Sequence, residues 1–251
     1  DDLVIQCELR NIDLIISAFD VESVEVLVRH GIKRLKVASS EITHYPLLSA
    51  VGETGLPVIL STGMSNLGMI ENALKKIGHN NVVLLHCTAA YPVPDTEVNL
   101  RVIQTLQHAF GLPVGFSDHT EGTLAAGIAI AFGAVLIEKH FTLDKGLPGP
   151  DHAFSVTPKE LGELTDMVRR TERILGSFRK VITEKETGTI EYTPGLFAFC
   201  DIAEGSDLNE DNIEIRRRNK EGIGTEFLDI VKERKAGVAI PKGAPITWDK
   251  I

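Results

Sequence analysis

The sequence predicts an α/β chain built as a (β/α)8 TIM-type barrel and carrying a small, mostly β domain at its C-terminal end. Three observations predict it. Short apolar, β-branched runs recur between Leu14 and His140 at the spacing of βα units. Polar residues collect at the carboxyl end of every run. The pattern stops near Gly176, and a different kind of repeat follows it.

The runs in order are Leu14–Phe19, Arg34–Ser40, Pro57–Gly63, Val82–Thr88, Pro113–His119 and Val135–Thr142. Each is continuous rather than alternating, as expected for a parallel strand covered on both faces. Amphipathic stretches separate them. In SNLGMIENALKKIG, Ser65 is placed to cap a helix and Leu67, Ile70, Ala73, Leu74 and Ile77 share one face. Gly78 suits its left-handed stop. After the sixth run, Thr157 and Glu160 form a capping box with Pro158 at the first helical position. Such βα units predict a parallel sheet with right-handed crossovers. The opening DDLVIQCELRNID reads as the end of a helix delivering into the first strand. Six units are found where closure of a barrel needs eight, so the first two βα units are expected to be missing from this sequence.

Residues 1–176 are thus read as a partial barrel, 177–193 as a polar linker and 194–251 as the small domain. In the last, Ile202-x-x-Gly205-x-x-Leu208-Asn-x-Asp211-x-Ile213 matches Ile240-x-x-Gly243-x-x-Ile246-Thr-x-Asp249-x-Ile251. Two copies suggest two similar corners of one domain and are too few for a solenoid.

Composition narrows the function. Hydrophobic residues make up 43% and charged residues 24%, a soluble balance, and the net charge of −9 argues against a nucleic-acid partner. Three scattered cysteines, Cys7, Cys87 and Cys200, form no disulfide framework, and Cys87 reads as a buried thiol. No run approaches the ~18 apolar residues of a membrane helix and no signal peptide is recognised, so no membrane partner and a cytoplasmic location are expected.

Ser17, Asp20, Ser39, Ser40, Glu41, Ser61, Thr62, Thr88, Ser117, Asp118, His119, Glu138, Lys139 and His140 all fall at strand carboxyl ends, where a barrel carries its active site. An open doubly wound sheet would gather such residues at one crevice; their presence on all six runs favours a ring. His119 and His140 end neighbouring strands and suit a shared divalent metal with open positions for water and substrate, or two structural histidines. Their chemistry would accept Mn²⁺, Fe²⁺, Co²⁺ or Zn²⁺. Glu138 shares a face with His140, whereas Lys139 points to the helix layer and reads as a structural ion pair. Lys36, with Ser39, Ser40, Ser61, Thr62, Gly63 and Ser117, suits a phosphate or carboxylate. Each serine alone also suits a helix cap. Asp151, on the rigid GLPGPDH segment, suits sugar hydroxyls, base chemistry or a turn cap.

The segments KVASSEI, LSTGM, LHCTAAYPVP-x-x-EVNL, GFSDHT and IEKHFTLDKGLPGPDH resemble those of the sialic acid (N-acetylneuraminate) synthase family. The C-terminal module resembles the antifreeze-like (SAF) domain of that family, so the likeness covers nearly the whole chain. The resemblance implies a (β/α)8 barrel joined to an SAF domain, in a homodimer whose small domains are swapped over the partner's barrels. It implies condensation of phosphoenolpyruvate with N-acetylmannosamine or a related amino sugar, with a divalent metal, Mn²⁺ first and Mg²⁺ also admissible. It implies His119 and His140 as metal ligands with Glu138 beside them. Lys36, Ser39, Ser61 and Ser117 would hold phosphoenolpyruvate, with Glu41 as an acid in the mouth. Tyr91, Asp151 and Arg217 would contact the sugar.

The chain departs from the family pattern at three places. Ala18 stands where the family has Thr, and Arg217-Arg218 stands where it has Arg-Pro. The family's acid and lysine on the first two strands have no counterpart, so these 251 residues alone are expected to be inactive. Two other readings remain at the level of sequence: a phosphoenolpyruvate aldol synthase making a keto-sugar phosphate, and a non-catalytic barrel scaffold. The choice among sialic, legionaminic and pseudaminic acid routes is not legible.

Overall fold

The computed structural model describes residues 2–79, 81–217 and 221–251. The chain divides into two compact units, residues 1–176 and 177–251.

The first unit begins with helix α1 (Asp2–Leu9) and continues through β1 (Ile16–Ser17), α2 (Val21–Arg29), β2 (Leu35–Val37), α3 (Tyr45–Glu53) and β3 (Val58–Ser61). It goes on through α4 (Leu67–Ile77), β4 (Val82–Cys87), α5 (Val102–Phe110), β5 (Val114–Asp118), α6 (Leu124–Ala131), β6 (Ile137–Lys139) and α7 (Pro158–Leu175). Every run expected to be a strand contains one. The pairing is shorter than the run, and shortest at β1, which has a ladder partner on one side alone. The six strands are parallel and lie in sequence order. Crossovers of one hand in that order put every helix on one face, whereas a doubly wound sheet must reverse its order. The result is a curled half-barrel. Lys36 on β2 reaches to 3.4 Å from Glu138 on β6. In a flat sheet those strands would be roughly 19 Å apart, at about 4.8 Å per strand.

The core lies between sheet and helices. Leu35, Leu60, Leu84 and Phe116 from the strands meet Leu47, Leu48, Leu74, Ile103 and Leu106 from the helices, all fully buried. Each such side chain contributes about 1.5–3 kcal/mol through burial. The α7 start has its capping box, with Thr157 and Glu160 exchanging side-chain and backbone hydrogen bonds and Pro158 inside the first turn. The start of α4 differs from expectation. Asn66, not Ser65, caps it, accepting from the Met69 amide at 3.0 Å, because the Ser65 hydroxyl turns back to donate to the Thr62 carbonyl at 2.7 Å. Leu67, in the first turn, is exposed, while Ile70, Ala73, Leu74 and Ile77 are buried as the periodicity requires.

The second unit pairs β7 (Pro194–Ala198) with antiparallel β8 (Ile213–Arg217) and adds a short α8 (Leu228–Lys232). The polar stretch before β7 is not wholly irregular, since Thr187–Tyr192 forms a 3-10 turn. The two copies of the repeat hold each other. Ile202 and Ile240 exchange both backbone hydrogen bonds, at 2.9 and 2.8 Å. The Gly205 amide donates to Ala236 and the Gly243 amide to Ala198, both at 2.7 Å, so one arrangement recurs with the copies exchanged. Both glycines have positive φ, +81° and +79°, where a side chain would be strained. Ile202, Leu208, Ile213, Ile240 and Ile246 fill this unit's own core. Arg218 lies outside the described residues.

Candidate active site

The carboxyl ends of β2 to β6 bring most of the expected residues together. Lys36, buried on β2, donates to Ser61 Oγ on β3 at 2.8 Å and lies beside Glu138 on β6. Ser117 on β5 donates to Glu138 Oε1 at 2.8 Å, and its hydroxyl is 3.4 Å from His119 Nε2. Glu138 therefore links the lysine side of the mouth to the histidine side. The amide of Gly63 donates to Ser39 Oγ at 2.9 Å. A Cβ on Gly63 would lie 2.9 Å from that hydroxyl and 3.3 Å from Cys87 Sγ, so the strand end is packed too closely for a larger residue.

The two imidazoles meet edge to face with ring centroids 5.2 Å apart. His119 Nδ1 lies 2.9 Å from the Thr88 carbonyl. A carbonyl only accepts, so Nδ1 carries the proton and Nε2 keeps its lone pair. Burial pushes the His119 pKa down, opposed by the Thr88 bond, which favours the neutral ring that a metal ion needs. His140 Nδ1 faces Asp151 Oδ2 at 3.5 Å. Imidazole nitrogens are donors of the kind that a divalent cation takes. Among the described residues no group of three or more His, Cys, Asp or Glu side chains could hold an ion, so water and substrate oxygens would complete its shell.

Tyr91 lies over the His119 ring at 4.3 Å and also touches His140, while Phe154 packs 5.1 Å from His140. The half-exposed phenol is a wall of the mouth, and desolvation pushes its pKa up. Cys87 is buried with Sγ 4.0 Å from His119 Nδ1, its pKa raised by burial. Its place beside the ring was not legible, and neither was that of Phe154. One expected residue of the first unit is held by other partners. Glu41 is held by the Ser40 hydroxyl at 2.9 Å and by His44 Nδ1 at 3.0 Å. Arg217 belongs to the second unit, where it donates to the Tyr192 carbonyl at 3.2 Å. Asp151 stands against His140. Ala18 is fully buried and offers no hydroxyl.

A family model described as the NeuB family matches residues 1–180. The chain belongs to the NeuB family. An N,N'-diacetyllegionaminic acid synthase of Campylobacter jejuni is 41% identical over 222 residues, 86% of this chain and 66% of that protein. A human N-acetylneuraminate-9-phosphate synthase is 34% identical over 228 residues, 89% of this chain and 64% of that protein. This chain thus spans about two thirds of each of these two relatives. The crystal structure of spore coat polysaccharide biosynthesis protein SpsE from Bacillus subtilis superposes with a TM-score of 0.67 at 34% identity, covering 100% of this chain and 76% of that one. NeuB-family likeness therefore extends over the strand ends that carry Lys36, His119, Glu138 and His140. Among the described residues no helix is long and apolar enough to cross a membrane.

Proposed function

We propose that this NeuB-family chain belongs to an enzyme that carries out metal-dependent condensation of phosphoenolpyruvate with an N-acetylated amino-sugar aldehyde, giving a nine-carbon 2-keto acid and phosphate. The observation that carries the reading is the link from Lys36 through Glu138 and Ser117 to His119, with His140 beside it. It supports a reading in which Lys36 meets a phosphorylated substrate next to the two imidazoles.

His119 and His140 would hold a divalent ion, Mn²⁺ by preference, which when bound polarises the aldehyde oxygen. Lys36, Ser39, Ser61 and Ser117 bind the phosphate and carboxylate of phosphoenolpyruvate and orient its methylene carbon toward the aldehyde. The new C–C bond forms between those two carbons, and the aldehyde oxygen takes up a proton. Water then adds at the carbon bearing the phosphate, and cleavage of the C–O bond releases phosphate and leaves the keto group. Glu138, shared between Lys36 and Ser117, is placed to take a proton from that water. Lys36 meets the charge that develops on the phosphate. Tyr91 and Asp151 line the sugar side.

The half-barrel would close into a (β/α)8 ring with two further βα units between β6 and β1. The second unit is read as an SAF domain that contributes Arg217 to a partner's sugar site in a cytoplasmic homodimer. Similarity to the legionaminic acid synthase favours a diacetylated amino sugar as acceptor. The test is phosphate release by the full-length gene product with phosphoenolpyruvate, Mn²⁺ and a panel of N-acetylated amino sugars. Phosphate release that requires both sugar and metal is expected; none with any sugar would refute the reading.

A further inference from the structure

We infer that the buried ion pair between Asp118 and Lys139 positions His119 and His140, so that it sets how tightly the site holds a metal without touching the metal itself. The inference rests on the metal reading given above.

Side chains alternate along a strand, so the residues next to the two imidazoles point away from the mouth. Asp118 and Lys139 are ladder partners on β5 and β6. Their side chains are 0% and 3% exposed and lie 3.0 Å apart, Nζ to Oδ2. Asp118 Oδ1 accepts from the Thr120 amide at 2.9 Å and from the Thr120 hydroxyl at 2.7 Å. Lys139 Nζ donates to the Thr120 carbonyl. The residues on either side of His119 are therefore tied to each other, and both are tied to the residue that precedes His140. Among the described residues Oδ2 has no hydrogen-bond partner, and the charge of Lys139 at 3.0 Å offsets its burial.

A buried ion pair can often be replaced by apolar side chains with little or no loss of stability, although removing one partner leaves a costly lone charge. Apolar replacements supply packing but cannot clamp Thr120. Packing and positioning can thus be separated. Outer groups that orient metal-binding histidines change metal affinity by about 10–100-fold.

The experiment compares wild type, Asp118→Asn, Lys139→Met and the double variant Asp118→Leu/Lys139→Met. Three quantities are read: the unfolding midpoint, the Mn²⁺ dissociation constant, and the tautomer of the His119 ring from 15N shifts in metal-free protein. Both single variants are expected to lose stability and to bind Mn²⁺ at least about tenfold more weakly. The double variant is expected to regain stability while Mn²⁺ binding stays weak and the His119 ring populates both tautomers. A stable double variant with wild-type Mn²⁺ affinity and a single Nδ1-protonated tautomer would overturn the inference. If wild type itself binds no Mn²⁺, the metal reading fails and the tautomer decides the positioning role alone. Should the double variant not fold, Thr120→Val, which keeps both charges and loses one hydrogen bond of the clamp, takes its place under the same criteria.

Discussion

The His86 ring, stacked on Phe116 in the core, donates through Nε2 to the carbonyl of Val98 at 2.7 Å. It thereby fastens the long loop between β4 and α5, which carries Tyr91 over the candidate site. Burial holds the His86 pKa below its ordinary value near 6.5, only partly offset by the Val98 bond. The unfolded chain therefore binds the proton more readily than the folded one. The contribution to stability is fully present above about pH 6.5 and is lost as pH falls through and below that value. His119, also lowered by burial, acts in the same direction. Thermal unfolding followed from about pH 8 to pH 5 should show Tm falling on the acid side. His86→Gln, which keeps a donor for Val98 and cannot titrate, should give a shallower fall; a slope equal to that of wild type would contradict this assignment.

Lys36→Met tests the anion pocket. It removes the one charged donor to Ser61 and the partner of Glu138, while the thioether chain retains most of the packing. Phosphate release by the full-length gene product is expected to drop by about 10²–10³-fold, the usual loss when one preorganised donor is removed. Far-UV circular dichroism should remain that of wild type.

Gly115 is the second residue of β5, where a Cβ would stand 2.6 Å from the Leu136 carbonyl oxygen and 2.6 Å from Leu85 Cδ2. Backbone on one side and packed core on the other leave no room to yield. Gly115→Ala should cost about 1–3 kcal/mol, as overpacking in a close-packed core does. The midpoint of urea unfolding measures it.

Thr157→Ala breaks the capping box of α7 at its N-cap. A loss of about 1 kcal/mol is expected in urea unfolding. Catalytic constants should be unchanged.

Much of the half-barrel was legible because a parallel strand needs a local apolar run and a helix needs a local cap. Val58–Ser61 and the Thr157–Glu160 box are set by neighbours in sequence. The shared face of Glu138 and His140 followed from the two-residue period of a strand, and the same period turned Lys139 toward the helices. Its partner was not legible, since choosing Asp118 requires the register of β5 against β6. The Val98 bond of His86, the Asp151 contact of His140 and the His44 contact of Glu41 are set by loop conformations that no periodicity encodes. Ser65 lost the capping role to Asn66 because its hydroxyl turns back to the Thr62 carbonyl. The apolar anchors of the C-terminal repeat could be read from the sequence, but the exchange of hydrogen bonds between its copies could not.

That exchange has a consequence for how the second unit can change over time. At Ile202 and Ile240 each copy supplies the backbone complement that the other lacks, and Gly205 and Gly243 bond to Ala236 and Ala198, each four residues ahead of the opposite copy. An insertion inside either twelve-residue segment would shift its register against its sibling and strand polar groups in the interior. Extra residues after Arg217 and before Arg234 would leave the exchange intact, whereas Ala236 must keep its spacing from Ile240. Length variation among descendants should therefore gather after β8 and before Arg234, while the paired corners are kept or lost together.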